Sequence, residues 1–471
     1  MDLAHLNCAV HTPDLSAPPS HSISRWSDTG ILGHPVSIIT PETEDDIRAV
    51  LEYASKNGLQ VFPAGGGHGS FVPITSKTLY LDLKKFNKVH VDKQAATVTL
   101  GGGAITKQLI QECTDHGFYT TWVNSQAVGV VGSILGGGNS TMAGLHGMMI
   151  DNVLSARLIT AGGNILQLSP SSKGDDLALF QALCGAGNGL GVITSLTMKI
   201  YPISDLRLSQ DGVFIRKLIF PAPMIDLAAT VFSKLQPPPP SLAAVMICAR
   251  APPTAPKPGA PMIILTATYY GPAEEAEQAA SVLFDEEVVS KAINAQTEFK
   301  PVAQLNDASA PFDTHGDFKD IQSTWMKTTN PEAIKSAFEK WLEYTTKHED
   351  AKRTALVLSG FNTRRQMEIG ASPEGHGRYF DHRDKGLLAI IISWFGNEDT
   401  ASAAAAFAED IKTIYREHDS SGTARTTLNN IGPTTPLSEL HTEERIRELK
   451  RIGGIWDPLG LFWKPWNRDS E

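Results

Sequence analysis

The chain is short of cysteine, of aromatic residues and of positive charge, and it has no long hydrophobic run. Its four cysteines, Cys8, Cys113, Cys184 and Cys248, lie far apart, with no CxxC and no Cys/His spacing of a metal site. That excludes a disulfide scaffold and a structural zinc site, and predicts ordinary buried thiols in a reducing compartment. Lys and Arg number 41 against 51 Asp and Glu, a net charge of −10 and the wrong sign for neutralising phosphate backbones. No nucleic acid partner is expected. No stretch approaches ~18 uninterrupted apolar residues, so no membrane span is expected. Residues 1–20 lack a basic stretch followed by an apolar one, so no secretory leader is read there. Together these absences predict a cytoplasmic protein. Two phosphate-binding signatures are missing as well. Neither Gly136-Gly137-Gly138 nor the cluster from Gly185 to Gly191 completes GxGxxG between a strand and a helix, and no GxxxxGK[ST] occurs.

What the chain does have is length and unevenly placed glycine. Its 471 residues, 41% of them hydrophobic, suffice for two or three domains with sizeable cores. The glycines bunch before residue 195, in a region that reads as short strands alternating with helices. Val36–Thr40 is a β-branched strand, after which Thr43 can cap a helix carrying Ile47, Val50, Leu51 and Ala54 at helical spacing and stopping at Gly58. Leu59–Phe62 and Ala96–Leu100 are further strands, each running into a glycine cluster. A helix with Ile105, Leu109, Ile110 and Cys113 on one face follows, stopping at Gly117. Asp151–Thr160 and Ile165–Leu168 form strands about Gly162-Gly163, then come a helix over Leu177–Leu183 and the strand Val192–Ile200. Beyond residue 205 the composition shifts to Pro-rich loops, longer helices at Pro331–Lys347 and Ala401–Arg416, and strands at Met262–Tyr270, Ala355–Gly360 and Gly386–Phe395. The expected fold class is α+β. We expect a first domain over 1–204, a second over 205–425 with an antiparallel sheet covered on one face by helices, and a segment over 426–471 returning to the first.

Successive glycines at strand ends let backbone N–H groups approach an anion closely, because no Cβ intervenes and positive φ is free. Several such loops in one domain imply an extended phosphorylated ligand. The stretches Pro41–Ile47, Pro63–Ser70, Leu81–Leu83, Val128–Gly138, Asp151–Val153 and Gly189–Thr194, and the tail Trp456-Asp457-Pro458 to Phe462, follow one another in a telling order. In that order the chain resembles FAD-linked oxidases of the berberine bridge enzyme-like branch of the vanillyl-alcohol oxidase superfamily, with its PCMH-type FAD-binding fold. The likeness spans nearly all of residues 35–200 and the tail; between them it is weak, around His382-Arg383 and Trp394.

The resemblance implies that the loop Gly65, Gly66, Gly67, His68, Gly69 and Ser70 cradles the FAD pyrophosphate, and that His68 is bonded to the flavin C8α methyl. Ser125, Val128, Gly129, Gly132, Ser133, Asn139, Gly191, Val192 and Asn430 complete the implied FAD contacts. Many relatives carry a second link, from a cysteine to flavin C6; that position is Ser125 here, so one covalent link is expected and not two. A flavin of this kind removes hydride from a C–H bond while a base takes a proton, and passes its electrons to O₂. The usual bases of the family are absent: its tyrosines are replaced by Ser70 and Asn139, its Asn-Tyr pair by Asn429-Asn430, and the strand that often bears Glu or Gln reads Leu387–Ile392, apolar throughout. His146, Tyr379 and His382 remain as candidate catalytic groups, each with a buried structural role as the alternative. Tyr119 and Trp122 either face the flavin or pack in the core. The function read from all this is an FAD-dependent oxidase of a hydrophobic small molecule in secondary metabolism, with no metal. Its rivals are a cyclase or pericyclase that keeps FAD structurally, and a non-catalytic binding module.

Overall fold

A computed structural model describes residue 6 and residues 8–466; most of the stretch Met1–Asn7, and so part of the leader reading, lies outside the described residues. Three sheets carry the fold. The first has the order Ala9–His11, Ser37–Thr40, Thr78–Asp82, Gln60–Ala64, its last three strands parallel. The helix Glu44–Asn57 joins two of them. Thr43 and Asp46 form a reciprocal capping box at its start, Gly58 ends it in the left-handed region, and Ile47, Val50, Leu51 and Ala54 are buried against the sheet.

The second sheet is antiparallel, in the order Val89–Asp92, Thr97–Gly101, Val192–Lys199, Val153–Ile159, Ile165–Leu168. The strand predicted from Asp151 starts at Val153, because Asp151 and Asn152 sit in a 3₁₀ turn over Met149–Asn152. There Asp151 accepts from the Met148 N–H and pairs with Arg383 at 2.7 Å.

The third sheet has seven antiparallel strands in the order Asn294–Lys300, Val213–Pro221, Pro261–Tyr269, Leu242–Arg250, Ala355–Gly360, Leu387–Phe395, Phe318–Met326. Helices Ile225–Lys234, Pro331–Lys347 and Ala401–Glu417 cover one of its faces, sharing a core with Leu218, Leu265, Met246, Leu358 and Ala389. The other face turns toward the first two sheets. The architecture is α+β, as the sequence predicts.

The tail lies on the first sheet: the Val61 N–H donates to Leu461 O at 2.7 Å and the Ala161 N–H to Trp456 O at 3.2 Å. Asp457 fixes its turn, accepting from the N–H groups of Leu461 and Phe462 and pairing with Lys464, both side chains being buried. A buried ion pair is costly to break from one side, because the surviving charge has no partner. We predict that Asp457→Ala lowers unfolding stability by about 3 kcal/mol or more, measured by chemical denaturation, with the tail released from the sheet edge.

Candidate active site

The loop Gly65–Ser70 leaves the strand Gln60–Ala64 and runs against a second loop, which follows the short strand Phe118–Tyr119 paired antiparallel with Tyr201–Pro202. A Cβ on Gly66 would lie 2.3 Å from Gly129 N and 2.6 Å from Ala127 O, so the two main chains touch with no room for a side chain. Gly67 has φ +72° and sits as close to Ser24 O. Beneath the loop, buried Arg25 donates through Nη2 to Gly69 O at 2.5 Å and Val72 O at 2.9 Å, and burial pushes its pKa down to about 10. Gly65 and Gly132 are exposed, with their backbones open to a ligand.

His68 is held three ways. Its Nδ1 lies 3.0 Å from Gly66 O, its ring stacks on Trp26 at 5.3 Å and 16°, and its Nε2 is enclosed without a protein partner. Burial pushes its pKa down to about 4, so the ring is neutral at ordinary pH. Ser70 closes the loop through its N–H to His68 O. On the facing loop the Ser125 Oγ donates to Asp313 Oδ1 at 2.6 Å, and Val128 O accepts from both Thr106 groups. Ser133 donates to Val130 O while its own carbonyl accepts from Asn429 Nδ2 at 2.8 Å. Asn139 Oδ1 is enclosed and without a protein partner, Gly191 opens the strand that Val192 begins, and the Asn430 N–H donates to Thr427 O. An enclosed nucleophilic ring nitrogen beside open glycine backbone fits a flavin dinucleotide.

Across from this loop stands the uncovered face of the seven-stranded sheet. Strand register lines up one row as Ile219, Ile264, Ile247, Val357, Ile390 and Ser323, and the next as Lys217, Thr266, Val245, Ser359, Leu388 and Trp325. A third row brings Ala355, Ile392 and Ile321 together. Ile264, Ile247, Val357, Ile390, Ile392 and Ile321 are half-exposed, whereas their chain neighbours on the helix side, such as Leu265, Met246 and Ile391, are buried. The last row pairs Trp394 with Lys319, and there the wall meets His68: Trp394 contacts Trp26 edge-on at 6.2 Å, and Trp26 stacks on His68. The wall is apolar around Ile264, Ile247, Val357, Ile390 and Ile392, carries Lys217, Thr266, Ser359 and Ser323 beside them, and presents neither acid nor histidine in these rows.

The FAD binding domain family matches residues 35–169. The FAD-linked oxidoreductase hasG of Aspergillus fumigatus is 24% identical over 93% of this chain and 92% of its own length. The FAD-linked oxidoreductase azaL of Aspergillus niger is 29% identical over 81% of this chain and 79% of its own. The chain is similar to these enzymes along most of its length, and it is an FAD-linked oxidoreductase. Its fold is that of BBE-like 1 from Physcomitrella patens, with a TM-score of 0.76 at 17% identity, covering 98% of this chain and 97% of the other.

The three candidate catalytic groups of this oxidoreductase occupy different surroundings. The Tyr119 hydroxyl lies 2.8 Å from His146 Nε2 in a hydrogen bond, and the His146 ring stacks on Tyr201 at 3.6 Å. Burial pushes the His146 pKa down to about 3. The histidine borders a polar cleft of about 190 Å³ with Tyr201, Arg365, Glu368 and Arg378. Tyr379 lies between Arg445 at 4.8 Å and His441 at 5.2 Å, against the helix Glu443–Trp456, and burial pushes its pKa up to about 12. His382 is boxed by Phe380 at 4.1 Å and Trp325 at 5.3 Å, with both ring nitrogens enclosed and without protein partners, and burial drives its pKa well down. The structure thus does not bring the three together. Trp122 is packed in the core.

Sequence reasoning missed Arg25, Trp26, Asp313 and Lys319. Buried Lys319 donates to Trp26 O at 2.7 Å and Thr314 O at 2.5 Å, lies over both Trp26 and Trp394, and burial pushes its pKa down to about 8. Each has a partner far along the chain, Arg25 in Val72, Trp26 in Phe312, Asp313 in Ser125 and Lys319 in Trp26, so no spacing announces them. We predict that Gly66→Ala, whose methyl would meet the Gly129 backbone, loses most of its bound FAD while remaining folded. The ratio of flavin to protein absorbance after gel filtration, together with circular dichroism, measures both.

Proposed function

We propose that this oxidoreductase is an oxidase of a hydrophobic small molecule in secondary metabolism, with FAD bonded through C8α to His68 and O₂ as its electron acceptor. The apolar wall facing the His68 loop carries this reading. FAD, when bound, supplies the hydride acceptor. The chain's own residues do the rest: the wall from Ile219 to Ile392 binds apolar surface and excludes water, and burial keeps His68 neutral so that a ring nitrogen has a free lone pair. We place the substrate between the first 204 residues and the 205–425 region, with the tail from 426 closing on the first. His146, whose Nε2 is hydrogen-bonded to the Tyr119 hydroxyl, is the candidate proton acceptor that borders a cleft; Tyr379 and His382 are the buried alternatives.

One observation favours a second reading. The wall rows offer no acid to take a proton, which suits a cyclase or pericyclase that holds a reactive conformer and keeps FAD for structure. Anaerobic mixing with substrate separates the two: bleaching of the flavin supports hydride removal, and turnover without bleaching supports the cyclase.

Two outcomes are expected. Wild-type protein keeps its yellow colour in the acid-precipitated pellet, whereas His68→Ala releases it to the supernatant; flavin remaining fixed to the denatured mutant contradicts the assignment. Ile390→Asn, at the centre of the wall, lowers kcat/KM for an apolar substrate by about 10-fold or more with flavin content unchanged, measured by steady-state oxygen uptake.

A further inference from the structure

One segment of the second half of the chain closes directly over His68, and its hold on the first half is polar throughout. Asn306 donates to Val123 O at 2.7 Å, Gln126 donates to Asp307 at 2.7 Å, and the Trp26 indole N–H donates to Phe312 O at 2.7 Å. Lys319 draws in the Thr314 carbonyl and the Trp26 carbonyl together. The centre of this segment is Asp313. One of its carboxylate oxygens accepts from Ser125 Oγ at 2.6 Å and the other from Ser309 Oγ at 3.2 Å, so its position is fixed from both sides. Its charge bears on the proton of His68, as do His315 and Lys319. Asp307 and Asp151 also bridge the two halves, but among these carboxylates Asp313 is the one whose charge bears on His68, 188 residues from its serine partner.

We propose that Asp313 is the base for covalent attachment of the flavin to His68. The inference rests on the covalent reading above. In that reading His68 reaches the C8 methyl, and Ser125 stands where relatives place the cysteine that reaches C6 of the same ring. A carboxylate bonded to Ser125, whose charge reaches His68, would in that reading lie along the ring edge that bears the methyl group. Attachment requires that a methyl C–H be broken, and a carboxylate at that edge is the group placed to accept its proton. The neutral His68 ring donates a nitrogen lone pair to form the N–C bond and later loses its remaining N–H proton. The two electrons of the broken C–H bond pass into the ring and leave to O₂, which takes up the two protons as H₂O₂. Atoms and electrons balance with O₂ as the only oxidant.

Asn at this position keeps the shape of Asp313 and can still accept from Ser125, but it cannot take a proton. Purified Asp313→Asn should be yellow in its native state, and its covalent incorporation should be slower than wild type by about 100-fold, read as flavin fluorescence on a denaturing gel over time after expression. Native colour with a low covalent share supports the assignment. A covalent share and rate equal to wild type overturns it and leaves Asp313 as an inter-sheet clamp. If instead wild-type protein itself releases its flavin on denaturation, the covalent reading of His68 fails, a result distinct from failure of the Asp313 assignment. Should Asp313→Asn emerge colourless before denaturation, Asp313→Glu and Asp313→Ala decide. A high covalent share of the bound flavin in Glu and a low one in Ala supports the proposal, and equal shares overturn it.

Discussion

Main chain touches main chain where Gly66 passes Gly129, and this approach sets the position of everything the site contains. The two glycines belong to loops that leave different sheets, one mostly parallel and one antiparallel, and a Cβ on either would lie within 2.6 Å of the facing main chain and force the loops apart. With the loops in contact, His68 is carried against Trp26, Ser125 is carried toward Asp313, and Arg25 can pin the outer turn by its carbonyls. Side-chain packing elsewhere tolerates small adjustments, but a main-chain contact without side chains has no rotamer to yield.

The seam between the sheets is fastened by buried charge and not by apolar contact alone. Lys319 is fully buried, yet it has two carbonyls and two indole faces in place of a counter-ion. Carbonyl oxygens and ring faces both offer negative potential, so an ammonium can stay charged there at a cost that its lowered pKa reflects. Ser27 adds reciprocal bonds with the backbone of the same lysine, donating to Lys319 O at 2.7 Å and accepting from its N–H at 2.8 Å. These contacts are directional, which fixes how the wall stands over the His68 loop.

Legibility in the sequence followed punctuation. The helix Glu44–Asn57 could be read because Thr43, Asp46 and Gly58 mark its ends, and the glycine loops could be read because strands run into them. The fold class and the course of the glycine loops were therefore within reach. Four strands of the large sheet, Val213–Pro221, Leu242–Arg250, Asn294–Lys300 and Phe318–Met326, escaped. The first two are apolar on both faces and give no two-residue alternation, while Phe318–Met326 mixes Lys319, Asp320 and Gln322 into a strand whose partners are distant. Asp313 and Trp26 were equally invisible, since what defines them is a bond to a residue far along the chain. The sequence also showed that the customary proton acceptors are missing, which the apolar rows around Ile390 make physical.

The alternation of the wall has a consequence for how such an enzyme changes its diet. On the central strands, residues that look toward the loop are flanked in sequence by residues that belong to a separate core beneath the helices, as Ile390 is by Ala389 and Ile391. A substitution on the outer face therefore alters the shape or polarity offered to a bound molecule while leaving the helix-side packing, strand register and inter-strand hydrogen bonds as they were. The sheet is in this sense a printed surface on a rigid board. New chemistry in the guest can be matched one position at a time, without the scaffold passing through an unstable intermediate.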